Sequence, residues 1–411
     1  MRKIIVLAVA ALFVLGIIFG TVLSARGNET KVVYIKQDGL YLCGVKEGAT
    51  PVLLAEGEKI SNPVLSANGK WVAYLQDGRL ILQKAKNTSG TVVGENPRSF
   101  IFDQNNKLVI ADSNGAVYRV DRSGQQTPIK GEAVYQDLVL SPDGTVYAHA
   151  YEKMVRGTQT VLRPSGIVRE EKGRFVTVLE GEKQVPSERN LGFAPRIAAF
   201  SPDGERAFIF HCPQSTALSA DGVPLGVLEL KTGIYTPPTN TEQVVVPDRR
   251  QVCASSALGE TAVVLGFGRN MNKQKMVGIL RPGEGAFRPA SADDSIAMMP
   301  QLSRDGQRLL YVSASEEADG DKWMEMPKSI MQVDLVTGEI HTLSMENGIY
   351  LLPFYAEKDR AVIALHKEQD GTFSLMRMNG DSETVIDNGI VCELGGIQYG
   401  QMPFERFFAR N

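Results

Sequence analysis

Ser141-Pro142-Asp143-Gly144-Thr145-Val146-Tyr147-Ala148 decides the fold, because the same pattern returns along the chain. It recurs as Ser201-Pro202-Asp203-Gly204 ahead of Glu205-Arg206-Ala207-Phe208 and as Ser303-Arg304-Asp305-Gly306 ahead of Gln307-Arg308-Leu309-Leu310. Ser66-Ala67-Asn68-Gly69 ahead of Lys70-Trp71-Val72-Ala73 is a further copy. Proline presets the second position of a tight turn, Asp or Asn bonds its own backbone, and Gly closes the turn. An apolar run precedes the turn, such as Leu138-Val139-Leu140 or Ile197-Ala198-Ala199-Phe200, and another follows it. The unit is a hairpin between two buried strands. Its return at intervals of roughly 40–60 residues marks an array of like units.

The partner strands extend the unit. A third apolar strand follows each second one, as at Leu40–Cys43, Leu80–Leu82, Val117–Val120, Thr160–Leu162, Val227–Leu230, Val277–Leu280, Ile330–Val333 and Ser374–Met376. Most end in a Gly-bearing turn, for example Arg163-Pro164-Ser165-Gly166, Lys231-Thr232-Gly233 and Val336-Thr337-Gly338. A weaker fourth strand comes next, such as Glu339–Leu343. Four short antiparallel strands per unit make a propeller blade. Degenerate second strands at Val32–Ile35, Leu108–Ala111, Ala262–Leu265 and Ala361–Leu365 bring the expected count to eight blades, with seven as the alternative. The first unit lacks an opening strand. Ile390–Tyr399 is the expected donor, closing the ring with both chain ends and removing exposed sheet edges.

The repeated Ser-Pro-Asp-Gly turn and its buried strand resemble the TolB-type, WD-like propeller repeat of bacterial extracytoplasmic proteins. The propeller domains of prolyl-oligopeptidase-like enzymes use a similar repeat. The resemblance spans most of the chain after residue 30. It implies a structural role for Asp143, Asp203 and Asp305. It implies no peptidase activity, because that activity needs an α/β-hydrolase domain after the propeller, and the chain ends at Asn411.

The 411 residues carry a net charge of −3, with Lys and Arg spread along the chain, which argues against nucleic acid as a partner. At the front, Arg2 and Lys3 precede an unbroken apolar run from Ile4 to Leu23. A stretch of about 20 such residues spans a bilayer core. Residues 1–25 are therefore expected to form one N-terminal hydrophobic helix that anchors the chain, with the propeller of residues 30–411 outside the cytoplasm. Cleavage near Leu23-Ser24-Ala25 would give a secreted protein instead. Four cysteines lie at positions 43, 212, 253 and 392, with no Cys-x-x-Cys. Their places on the blades bring Cys212 towards Cys253 and Cys43 towards Cys392. An exported compartment permits disulfides there; four free, buried thiols are the alternative.

Catalytic patterns are missing. There is no Gly-x-Ser-x-Gly elbow and no His-Glu-x-x-His. The four histidines, His149, His211, His341 and His366, fall in different registers and read as isolated side chains. Gly266-Phe267-Gly268-Arg269-Asn270-Met271 lacks the third glycine and the helix of a nucleotide cradle. Asp319-Gly320-Asp321 lacks the ligand spacing of a calcium loop. No cofactor and no metal are expected.

Loops carry function on such scaffolds. Two loops between second and third strands emerge on one face. One holds Glu316, Glu317, Asp319, Asp321 and Trp323, and its neighbour holds Arg269, Lys273 and Lys275. Opposite charges beside an exposed Trp suit a protein-binding rim. The expected function is a non-catalytic, membrane-tethered propeller displaying loops to an envelope or secreted protein. The alternative is a small-ligand or lactonase-like propeller using its central channel, although the residues expected to line it, Val139, Ala199 and Leu302, are apolar.

Overall fold

The computed structural model describes residues 29–156, 158–183, 192–214, 221–238, 243–254, 261–266, 273–281, 286–292, 295–315, 325–380, 382–392 and 407–410. The expected N-terminal helix lies outside them. No helix among the described residues is long and apolar enough to cross a membrane. The described residues form strands and one short 3-10 turn, Arg249–Gln251.

Each recurring turn folds for the same reason. The buried Ser201 hydroxyl donates to Asp203 Oδ1 at 2.5 Å and accepts from the Arg206 N–H at 2.9 Å. Ser303 repeats this with Asp305 (2.6 Å) and Arg308 N–H (2.9 Å). Gly204 and Gly306 close the turns at φ 73° and 70°, a region that costs a residue with a Cβ. Asp203 and Asp305 are held below the usual carboxylate range by these serine hydroxyls and by backbone N–H groups. A copy invisible as a motif is Asp103–Lys107. There Asp103 replaces Ser, and Asn106 (φ 57°) replaces Gly.

The sheets are all antiparallel and built as the repeat requires. Among the described residues, six have four strands and one has eight. The eight-stranded sheet comprises the run Tyr350–Ala356 to Ser382–Ile390 and a second set opening at Lys31–Lys36, joined through the single pair Lys36 with Ile390. The missing opening strand of that second set is Phe408–Arg410, paired with Val32–Tyr34. It is not Ile390–Tyr399: Ile390 ends the strand Ser382–Ile390, and residues 393–400 lie outside the described ones. Both chain ends do meet in one sheet. The seam is held by Lys36 on Asp387 (2.7 Å) and by the Tyr34 hydroxyl donating to Asp387, while Arg410 reaches Gln301 on another sheet (3.1 Å).

One strand pattern differs from expectation. Arg163–Gly166 is not a turn but part of the long strand Gln159–Glu171. That strand pairs with Arg174–Glu180 in an outer hairpin.

The first strands of successive sheets meet each other and form the innermost ring. Four of them are broken by a bulge with a left-handed residue at its centre: Asn62 (φ 52°), Asp137 (φ 53°), Met299 (φ 55°) and Leu352 (φ 52°). Pro63, Pro300 and Pro353 follow three of them, so no N–H is stranded at that point. After Asp137 comes Leu138, whose N–H donates to Ser99 Oγ on the preceding sheet (3.0 Å). The ring is stitched this way repeatedly: Ile197 N–H donates to His149 Nε2 (3.1 Å), Met299 N–H to Gln251 Oε1 (2.7 Å) and Leu352 N–H to Met299 Sδ (3.3 Å). Each bond joins neighbouring sheets and satisfies a backbone donor that would otherwise be buried unpaired.

Candidate functional site in the central channel

At the bulge position, where other inner strands carry Asn62, Met299 or Leu352, the strand Val134–Leu140 carries Asp137. The bulge between Gln136 and Val139 shifts the register there and changes which side chains face the ring's interior. Asp137 keeps 46% of its side-chain surface exposed, and its Oδ2 accepts from His149 Nδ1 at 3.2 Å. Val139, Ala199 and Leu302, the residues expected to line the channel, instead pack against the hydrophobic clusters between sheets.

Two arginines from the next two sheets join Asp137. Arg196 is exposed on the inner strand Ala194–Phe200. Arg249 opens the 3-10 turn that Asp248 caps, and its Nε donates to the Ile197 carbonyl at 3.0 Å. The Asp137 carboxyl is held down to about 2. Burial opposes the shift, and the His149 hydrogen bond together with the charges of Arg249 and Arg196 outweigh it. His149 is buried and pushed below its ordinary value, chiefly by loss of solvent. With Nδ1–H on Asp137 and Nε2 receiving the Ile197 N–H, its neutral tautomer is fixed. Both ring nitrogens are engaged, so His149 orients Asp137 and leaves no lone pair for a substrate proton. Tyr151 stands in the same field, its hydroxyl pKa raised by burial and by Asp137. The arc carries two guanidiniums against one carboxylate. It can bind an anion while offering one acceptor beside it.

The remaining histidines are local. His211 Nδ1 meets the Tyr235 hydroxyl at 2.7 Å and stacks on Phe193. His341 reaches only Glu339, at 3.7 Å. His366 lies on Glu368 (3.1 Å) beside a polar cleft of about 1240 Å³. The Ser374 hydroxyl in that cleft bonds the Glu368 carboxylate, not the imidazole, so the set has the wrong connectivity for nucleophile activation.

The expected rim is only partly described. Glu316, Glu317, Asp319, Asp321, Trp323 and Arg269 lie outside the described residues, and Lys273 lies at the foot of its loop. Lys275 corrects the sequence reading. It is 2% exposed, opening the strand Lys275–Arg281, and its Nζ donates to the Lys273 carbonyl at 3.0 Å. Lys328 repeats the arrangement at the foot of the neighbouring loop, fully buried, with Nζ on the Met326 carbonyl at 3.0 Å. Burial lowers Lys275 to about 8 and Lys328 to about 7, the latter with help from Lys367. The strand reading missed them because a lysine two residues past a loop looks like loop. The signal is its recurrence at the same place in two adjacent units.

Cys43, Cys212, Cys253 and Cys392 are all reduced thiols in this structure, so neither expected disulfide is formed in it. Cys212 sits in one apolar cluster, whereas Cys253 packs against another and accepts from the Leu302 N–H at 3.4 Å. Cys392 packs against the cluster that holds Cys43, and burial raises the Cys43 thiol to about 11. Among the described residues, no group of three or more His, Cys, Asp or Glu is placed to hold a metal ion.

No protein-family model matches the sequence, and no curated protein matches it. Solved structures do. A puromycin-hydrolyzing peptidase of Mycobacterium tuberculosis aligns over 85% of this chain and 57% of its own, at 15% identity and TM-score 0.54. The dihydro-heme d1 dehydrogenase NirN aligns over 88% of this chain and 75% of its own, at 12% identity and TM-score 0.56. A putative TolB from Agrobacterium tumefaciens aligns over 77% of this chain and 88% of its own, at 14% identity and TM-score 0.37. This chain spans less than two thirds of the peptidase's length. At these identities the likeness shows the fold alone, a β-propeller.

Proposed function

We propose that this chain is an extracytoplasmic, eight-bladed binding propeller without catalytic activity, tethered by its N-terminal apolar segment. It presents the loops around Arg269–Lys275 and Ser315–Lys328 to a protein partner at the cell envelope. The observation that carries this reading is the pair of buried lysines at the feet of those two loops. Burying an ammonium group costs several kcal/mol unless hydrogen bonds compensate. The chain bears that cost twice, at matching places, where each ammonium ties down the end of a loop. A loop rooted in a rigid ring loses less entropy on binding. The six four-stranded sheets and the two sets of the seam sheet support a count of eight.

Pull-down of the full-length protein from its own membranes, with and without residues 315–328, tests the reading. A discrete partner lost on loop deletion supports it. Equal capture by both forms, or capture by neither, refutes it.

A small-ligand site in the central channel is the second reading. It is favoured by the arc of Asp137 and Arg196 on two successive inner strands and Arg249 in the 3-10 turn that leads into the next.

A further inference from the structure

We infer that the cleft where the chain passes from the sheet ending at Gln126–Ile129 to the sheet opening at Val134–Leu140 binds a phosphomonoester. The inference is independent of loop display and of the channel. The cleft has a volume of about 1090 Å³, room for an organic phosphate and not only for the inorganic ion. Lys130 and Glu132 line it from the passage, Lys153 from the strand Val146–Arg156 and Arg174 from the strand Arg174–Glu180. Lys130 and Arg174 are locked side by side. The Lys130 N–H donates to the Gly173 carbonyl at 2.9 Å and the Phe175 N–H to the Lys130 carbonyl at 2.8 Å, a parallel bridge that pairs the two basic residues. Like charges directly opposite one another destabilise such a pair. The nearby carboxylates do not relieve it: Glu152 pairs with Arg163, Glu170 with Arg119 and Glu171 with Arg169. Among the described residues, Lys130, Lys153, Arg174 and Glu132 form no ion pair.

Charge and shape select the ligand. Glu152 is balanced by Arg163, so three cations face one carboxylate, Glu132, and the cleft is left two units positive. A phosphomonoester carries about −1.5 to −2 near pH 7, whereas a carboxylate or a sulfate ester carries a single charge. A guanidinium meets phosphate through two parallel N–H bonds, and lysine adds a point charge. Phe175 supplies an apolar wall for the organic part, its ring 4.5 Å from that of the buried Tyr135. A Cβ at Gly131 would come within 2.0 Å of the Tyr135 hydroxyl oxygen, so glycine there lets the passage carrying Lys130 and Glu132 lie against that ring. The backbone that presents the charges is thus set before a ligand arrives.

Isothermal titration of the full-length protein with phenyl phosphate and phenyl sulfate tests this, alongside flotation with phosphatidylcholine vesicles carrying phosphatidate or phosphatidylglycerol. Phenyl phosphate is expected to bind at least about tenfold tighter than phenyl sulfate, the worth of roughly one hydrogen bond to a charged group. Binding of phenyl phosphate assigns the phosphate to a soluble ligand, and binding of phosphatidate vesicles alone assigns it to a lipid headgroup; both uphold the inference. Arg174→Gln and Lys153→Gln should each weaken binding about tenfold and leave the melting temperature unchanged, since both side chains are exposed. Should Arg174→Gln fail to fold, Lys153→Gln carries the test. Glu132→Gln, which removes the opposing carboxylate, should tighten binding. Lys231→Gln, the same loss of charge at an exposed position after the strand Leu225–Glu229, should leave it unchanged. The inference is overturned if neither phenyl phosphate nor phosphatidate binds, or if the singly charged probes bind as tightly as the phosphomonoesters. It is also overturned if Lys231→Gln weakens binding as much as Arg174→Gln or Lys153→Gln.

Discussion

Asp137 and Met299 occupy the same place in two different parts of the ring, and the contrast between their surroundings separates site from frame. Both sit at the centre of an inner-strand bulge, with φ 53° and 55°. Around Asp137 the stitches between sheets use oxygen and nitrogen: Ser99 Oγ takes the Leu138 N–H, and His149 takes the Ile197 N–H. Around Met299 two of them turn to sulfur: Met299 Sδ takes the Leu352 N–H and Cys253 Sγ takes the Leu302 N–H, while Gln251 Oε1 takes the Met299 N–H. The wall near Met299 is apolar, with Met298, Leu351 and Phe354 buried. The backbone problem is the same in both arcs, a bulge that frees an N–H. Its solution in the first arc leaves charged groups in the channel, and its solution in the second leaves packing.

Substitutions should expose that difference. The largest effect is expected at His149. His149→Leu strands the Ile197 N–H and takes away the Asp137 partner, a loss of about 3 kcal/mol in urea unfolding. Gln251→Met replaces an amide acceptor of the Met299 N–H with sulfur, copying the Met299–Leu352 stitch of the same arc, and should cost about 1 kcal/mol. The smallest of the three is Met299→Leu, at about 0.5 kcal/mol, because a thioether is a weak acceptor and the side-chain volume is kept. Equal costs at His149 and Met299 would show that the two arcs are energetically alike and dissolve the comparison.

Acid should divide the arcs as well. Burial keeps the folded His149 imidazole below its ordinary pKa, so the unfolded chain takes up the proton first. Stability is then full above about pH 6.5, the unfolded value, and falls as pH drops below it. His149→Leu should remove that part of the acid slope, whereas Met299→Leu should leave it. At the alkaline end the lysines act with the same sign. Lys275 at about 8 and Lys328 at about 7 lie below their ordinary value of 10.5, so the unfolded chain holds more protons in that window. Stability should rise from about pH 7 towards 10.5 on their account, and Lys328→Met should flatten the rise. Chemical denaturation at stepped pH reads both slopes.

The outer frame was legible in the sequence, and the channel was not, for a physical reason. The Ser-x-Asp-Gly turns announce themselves because three chemical demands fall on adjacent residues: a hydroxyl, a carboxylate and a left-handed glycine. The fifth copy at Asp103–Lys107 hides because Asp103 and Asn106 meet the same demands with other residues. The channel arc assembles Asp137, Arg196 and Arg249 from three sheets, with no local pattern to join them. Val139 was the residue expected to line the channel, but the bulge between Gln136 and Val139 shifts the register of its strand. Asn62-Pro63, Met299-Pro300 and Leu352-Pro353 were the available signal, since proline inside an apolar strand marks a bulge. Lys275 and Lys328 are hard to read from sequence because a lysine beside a polar loop ordinarily marks exposure, whereas both are buried.

Site-specific photo-cross-linking in native membranes tests the central claim, that the face carrying the second-to-third-strand loops engages a partner. A photoreactive residue at Lys273 marks that face. One at Val336, a turn residue 76% exposed between the third and fourth strands of its sheet, marks the opposite one. The account predicts a discrete cross-linked protein from position 273 and none from position 336. Cross-linking from position 336 alone, or from neither position, would contradict it.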